Sequence, residues 1–194
     1  MNTLPSPPPE RKEVLGLLIG YIRSKIEANE PVQLHFICTH NSRRSQFSQF
    51  WAKLMAFYHQ IPCRTFSGGV EVTACNERVI KTLRLQGFAV SNSEGGENPK
   101  YHFALNGKED ICLFSKVYNH PSNPSTGFAA VMNCADADEN CPLIVGAEQR
   151  IPLRYTDPKI YDNTDQEAEH YLQKSLEIAA EMFYVFSSIK QSHE

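Results

Sequence analysis

The chain has 194 residues, 41% hydrophobic and 21% charged, with a formal net charge of -3. That length suffices for one buried core, and the slight negative charge excludes a general nucleic-acid or membrane-surface binder, so any anion site has to be local. The start of the sequence lacks a secretory pattern and no stretch approaches the roughly 18 unbroken apolar residues of a membrane span, so the expectation is a cytoplasmic single domain over 1–194, monomeric by default.

Residues 1–9 carry four prolines and read as a flexible tail, with Pro9 suited to the first position of a helix. Val14, Leu17, Leu18, Tyr21, Ile22 and Ile26 recur at helical spacing over 10–28, and Glu30-Pro31 ends the run. Residues 33–37 read as a strand. Phe47, Phe50, Trp51, Leu54, Met55 and Tyr58 then form a stripe that predicts a core-facing helix over about 45–59. A second strand over 63–67 is expected to break at Gly68-Gly69, before a helix over about 76–86 that turns Val79, Ile80 and Leu83 inward and closes at Gly87.

The composition of 92–127 differs, with two apolar runs joined at Asn106-Gly107, which predicts an inserted β-hairpin. Residues 128–133 read as a buried strand and 151–153 as a shorter one. A long helix follows over about 164–189, opened by a capping box of Thr164 and Glu167 and burying Ala168, Tyr171, Leu172, Leu176, Ala179, Phe183 and Phe186. Alternating strands and helices imply an α/β three-layer sandwich with a central, mainly parallel four-stranded sheet, plus an extra N-terminal helix and the hairpin insert. Ligands of such sheets bind beyond the carboxyl ends of the strands.

Cys38 stands at such an end. It opens CTHNSRR, with Arg44 six positions on, between a strand and the first turn of a helix. A short loop there turns backbone N–H groups inward, and the helix N-terminus adds unpaired donors and partial positive charge, so an oxyanion fits and a thiolate is stabilised. Arg44 can hold two oxygens of a tetrahedral anion through its planar fork. Asn41 tolerates left-handed backbone angles, and Ser42 and Ser45 can bond the thiolate or loop carbonyls. Thr39, His40, Asn41, Ser42, Arg43 and Ser45 are therefore the expected surroundings of a bound oxyanion.

CTHNSRRS resembles the phosphate loop of the low-molecular-weight protein tyrosine phosphatase superfamily, especially its thioredoxin-coupled arsenate reductases. The resemblance runs from about residue 34 to 189 through SGGVEVTACNERVIKTLRLQGFAVS, CADADENCP and YTDP; the N-terminal helix and the insert fall outside it. His40 and Arg43 depart from the pattern, standing where those enzymes have glycine and a small residue. The resemblance implies that Asp157, in Asp157-Pro158, protonates the oxygen expelled when the Cys38 thiolate attacks.

Cys134 and Cys141, seven positions apart with Asp136, Asp138 and Glu139 between, admit three readings. As zinc ligands they supply only half a site, and as a calcium loop the segment lacks the turn glycine and the terminal glutamate. As a redox pair they are about 10 Å apart if the segment is helical, so forming a disulfide requires unwinding. The resemblance implies the third reading: Cys134 attacks Cys38 and releases arsenite, and Cys141 then forms a disulfide with Cys134 that thioredoxin reduces. No tightly bound cofactor or metal is expected, and Cys63, Cys75 and Cys112 read as packing residues. Two alternatives stay open: a phosphatase hydrolysing phosphate monoesters through a Cys38 phospho-enzyme, and a non-catalytic redox or oxyanion sensor whose insert contacts a partner.

Overall fold

The computed structural model describes residues 5–93, 96–107, 109–140 and 143–190; residues 1–4 of the expected tail and Cys141 lie outside the described residues. The chain runs α1 (Pro9–Glu27), β1 (Val32–Cys38), α2 (Arg44–Tyr58), β2 (Cys63–Gly69), α3 (Glu77–Leu85), β3 (Ser91–Ser93), β4 (Lys100–Leu105), β5 (Glu109–Leu113), β6 (Phe128–Met132), α4 (Ala135–Asn140), β7 (Ala147–Ile151) and α5 (Glu167–Lys190). A parallel sheet has the order β2-β1-β6-β7. The insert forms a separate antiparallel sheet, β3-β4-β5, so the hairpin gains a third strand. Its tip turns at Asn106 and Gly107, both at positive φ, as a tight hairpin requires. Among the described residues no helix is long and apolar enough to cross a membrane.

Burial follows strand alternation. Leu34 and Phe36 of β1 and Ala129 and Val131 of β6 join the large core with α1, α2, α3, α5 and the insert sheet. Ile37, Phe128, Ala130 and Met132 form a smaller cluster with Cys38, Cys134 and Ala137. Pro7 is already buried and the Pro8 carbonyl accepts from the Arg11 and Lys12 N–H groups, so α1 is anchored ahead of Pro9.

Several boundaries and faces differ from the expectations. In α1 the inward stripe is Leu15, Leu18, Ile19 and Ile22, because the helix packs on α5, while Leu17 is exposed. Tyr58 likewise ends α2 half exposed. In α5, Leu172 and Leu176 are exposed and Ser175 is buried, its hydroxyl accepting from Trp51 Nε1 (2.9 Å) and donating to Gln86 Oε1 (2.8 Å). A polar residue inside and leucines outside defeat a hydrophobicity count. The reciprocal capping box does not form: Thr164 donates to the Tyr161 carbonyl, and Glu167 accepts from the Asn163 N–H. The last sheet strand is Ala147–Ile151 rather than 151–153, a half-exposed edge whose alternation is weak.

Gly68 and Gly69 do not break β2; they are its last two residues. A side chain at Gly68 would meet the Tyr118 backbone and His35, and one at Gly69 would meet the backbone of Thr39, Asn41 and Glu71. These glycines permit close approach. His35, fully buried between Phe66 and Phe128, has its pKa pushed down to about 3 by burial and then by nearby Lys116, so it stays neutral.

Candidate active site

β1 lies inside the sheet and delivers Cys38 at its carboxyl end, three residues before Asn41 turns the chain at φ 47°. The loop is held by its carbonyls. Those of Cys38 and Thr39 accept from the Val70 and Glu71 N–H groups (3.3 and 2.9 Å), and that of Ser42 accepts from the Asn76 N–H (2.9 Å). The His40 carbonyl accepts from Ser115 Oγ (2.9 Å) and the Asn41 carbonyl from Gln46 Nε2 (2.7 Å). The N–H groups of residues 39–45 donate to no group among the described residues. Carbonyls tied outward and amides left over, at the N-terminus of a helix, are the arrangement that suits an oxyanion.

The Asn41 side chain braces this arrangement: Oδ1 accepts from the Lys116 N–H (3.0 Å) and Nδ2 donates to Ser45 Oγ (2.8 Å). Ser45 Oγ lies 3.0 Å from Cys38 Sγ. Because that oxygen already accepts from Asn41, its own hydrogen is free to point at the sulfur, the arrangement a thiolate accepts. Ser42 Oγ turns away, donating to the Ala74 carbonyl (2.7 Å).

Arg44 is the first residue of α2. Its Nη2 meets Asp157 Oδ2 at 2.6 Å and its Nη1 donates to the Tyr155 carbonyl at 3.1 Å. Asp157 Oδ1 accepts from the Lys159 N–H and so caps the short 3-10 turn Pro158–Tyr161. The loop arginine and the Asp-Pro carboxylate, 113 positions apart, are thus in contact. Arg43 behaves differently from the expectation that it surrounds the anion: its guanidinium donates to Tyr171 OH (2.7 Å) and pairs with Asp162 (2.8 Å). His40 is half exposed, 3.4 Å from Glu71.

Cys134 follows β6, the neighbour of β1, and is buried in the same cluster as Cys38. Its sulfur accepts from the Ala137 N–H at the start of α4 (3.4 Å) and lies 3.4 Å from Thr39 Oγ1, which donates to Asp136 Oδ2 (2.7 Å). Asp138 is gripped by Arg150 and Arg154. The acidic side chains of this segment are therefore engaged by Thr39 and two arginines rather than converging on one point, and among the described residues no group of three ligands suits a metal ion. Burial pushes the Cys63 thiol up to about 12 and raises Cys75 as well, as inert packing thiols.

The supports of the loop were not legible in the sequence: Ser115 and Lys116 reach it from the segment just after β5, and no spacing motif links them to Cys38. A cavity of about 500 Å³ opens beside the loop, lined by His40, Ser42, Arg78, Pro99, Tyr101 and Lys159.

No family model matches the sequence. Two curated relatives are arsenate reductases: one from Staphylococcus epidermidis, 27% identical over 126 residues (64% of this chain, 77% of the relative), and one from Bacillus subtilis, 26% identical over 141 residues (73% and 84%). Among solved structures, a low-molecular-weight phosphotyrosine phosphatase from Vibrio cholerae superposes with a TM-score of 0.56 at 9% identity, covering 84% of this chain and 98% of that one. An arsenate reductase in its phosphate-binding state superposes with a TM-score of 0.51 at 14% identity, covering 81% and 98%. The fold is that of the low-molecular-weight phosphatases.

Proposed function

We propose that this chain, which has the low-molecular-weight phosphatase fold and curated arsenate reductases as its sequence relatives, reduces arsenate to arsenite by thiol chemistry. One observation carries the choice: a second buried thiol, Cys134, sits beside the phosphate loop, with Thr39 Oγ1 3.4 Å from its sulfur. Ester hydrolysis has no use for that thiol, whereas reduction of arsenic needs two electrons from sulfur.

In this reading the loop amides and Arg44 hold arsenate. The Cys38 thiolate forms a bond to arsenic, and Asp157, protonated, gives its proton to the departing oxygen, which leaves as water. The Cys134 thiolate then attacks Cys38 Sγ. A sulfur–sulfur bond forms, the sulfur–arsenic bond breaks, its electron pair stays on arsenic, and arsenite departs. Cys141 attacks Cys134, frees Cys38 and leaves a Cys134–Cys141 disulfide, which a dithiol reductase of the thioredoxin type returns to thiols. The Ala137 N–H at the start of α4 donates to the Cys134 sulfur while the helix is folded.

A second reading has its own support. Cys38, Arg44 and Asp157 are all that ester hydrolysis asks for, and the low-molecular-weight phosphotyrosine phosphatase from Vibrio cholerae has the same fold. Supplying arsenate, thioredoxin, its reductase and NADPH, and in parallel p-nitrophenyl phosphate, separates the two. Arsenate-dependent NADPH consumption that Cys38→Ser abolishes supports the reductase. Ester hydrolysis alone establishes the phosphatase instead, and neither activity leaves a sensor.

A further inference from the structure

Arg43 and Arg44 are consecutive, and each holds a carboxylate of the same short segment. Arg44 meets Asp157 at 2.6 Å, at one end of the 3-10 turn Pro158–Tyr161; Arg43 meets Asp162 at 2.8 Å, at the other. The two pairs differ in surroundings. Asp162 Oδ1 also accepts from Tyr171 OH (2.7 Å), which itself accepts from Arg43 Nε (2.7 Å), closing a ring of three side chains. Arg78 Nε lies 3.7 Å from Asp162 and 2.6 Å from Glu167, and Arg78 Nη2 donates to Asn163 Oδ1 (2.9 Å). The Asp162 carboxylate is 16% exposed against 30% for Asp157. Burial, then its bond to Asp162, raises the Tyr171 phenol above its ordinary range, so it remains a donor at neutral pH.

The chemistry of the site makes the Arg44–Asp157 pair temporary. An arginine that clamps an oxyanion gives up its carboxylate, and a carboxylate that donates a proton has first to be protonated, which ends the ion pair. Nothing in the cycle asks the same of Asp162. We propose that Arg43 and Asp162, with Tyr171, form a latch that keeps the Asp157 segment in register on the phosphate loop while Asp157 releases Arg44 and turns to the substrate. Arg43 and Asp162 are then positioning residues acting through Asp157, and Arg43 is not an anion ligand. This inference rests on Asp157 being the acid of the proposed function.

The test compares Asp162→Asn, Arg43→Met and Arg43→Lys in the full-length protein by arsenate kinetics and by hydrogen exchange of the segment 156–163. Loss of the latch should lower kcat about tenfold or more, within the range a positioned general acid contributes, and leave KM within about threefold. Exchange over 156–163 should accelerate, and Arg43→Lys should recover part of both. In an Asp157→Asn background, Asp162→Asn should slow turnover no more than about twofold further, since residues acting through one group are not additive. A raised KM at unchanged kcat would make Arg43 an anion ligand and overturn the latch. So would multiplicative losses in the double variant, or unchanged exchange in both Asp162→Asn and Arg43→Met. If the wild-type protein ignores arsenate, the reductase reading fails; the same cycle is then read with p-nitrophenyl phosphate, and in a protein without either activity the exchange result alone decides.

Discussion

Replacing Gly69 by alanine inserts one methyl group into the back of the Cys38–Arg44 loop. Gly69 ends β2 opposite Cys38, and a Cβ there would sit 2.7 Å from Asn41 N, 2.7 Å from the Thr39 carbonyl oxygen and 2.6 Å from that of Glu71. All three neighbours are backbone, so no side chain can swing aside. Restoring ordinary contacts of 3.4 Å moves loop backbone by about 0.7 Å. Overpacking of this kind costs about 1–3 kcal/mol. A displacement near 1 Å in a positioned site costs about a hundredfold in rate, so kcat/KM for arsenate should fall by about that factor. Gly16→Ala is the control: it lies exposed on α1 with nothing within 4 Å, and should stabilise the protein by about 0.5–1 kcal/mol with activity intact. Urea unfolding and arsenate kinetics on both variants read the two quantities. A Gly69→Ala protein with wild-type kinetics would refute the claim that this backbone forms the cradle.

Lys116 is 4% exposed, with its ammonium 3.5 Å from the Phe114 carbonyl and 4.3 Å from that residue's ring, and burial lowers its pKa from 10.5 to about 8. Below about 8 the charged form is buried in the folded state and the penalty is fully present; between about 8 and 10.5 only the unfolded chain keeps the proton, so wild-type stability rises with pH. Lys116→Met should therefore be more stable at pH 7 by about 3 kcal/mol, an advantage that disappears by pH 10.5; a difference constant with pH in urea unfolding would contradict the assignment. Asp138→Asn removes the carboxylate that Arg150 and Arg154 hold, and hydrogen exchange of α4 should accelerate about tenfold, as expected for losing charge-assisted bonds. Unchanged exchange would show that those pairs do not hold the helix folded.

What could be read in the sequence was local. Cys38, Asn41 and Arg44 fall within seven consecutive positions, and strand, loop and helix pattern around them carry the expected geometry. The mainly parallel four-stranded sheet followed from the alternation of elements; the order of its strands did not. What could not be read depends on contacts between distant residues. Arg43 reads locally as a second anion ligand, and nothing in the loop foretells that α5 brings Tyr171 and the Asp-Pro segment brings Asp162 to its guanidinium. Gly68 and Gly69 look like a strand breaker, yet they are small because Tyr118 and the Cys38–Arg44 loop press on them. Leu172 and Leu176 look like core until Ser175, satisfied by Trp51 and Gln86, takes the inward face. The purpose of the insert was equally hidden; the segment that follows β5 supplies Ser115 and Lys116 to hold the loop.

The central claim is that a thiol outside the phosphate loop turns a phosphatase framework into a reductase, and arsenate-dependent NADPH consumption by Cys134→Ser beside the wild-type protein, with thioredoxin and its reductase present, tests it most directly. Steady consumption is expected of the wild-type protein and none of the variant, while any hydrolysis of p-nitrophenyl phosphate survives the substitution. Sustained arsenate turnover by Cys134→Ser, or its absence in the wild-type protein, would contradict it.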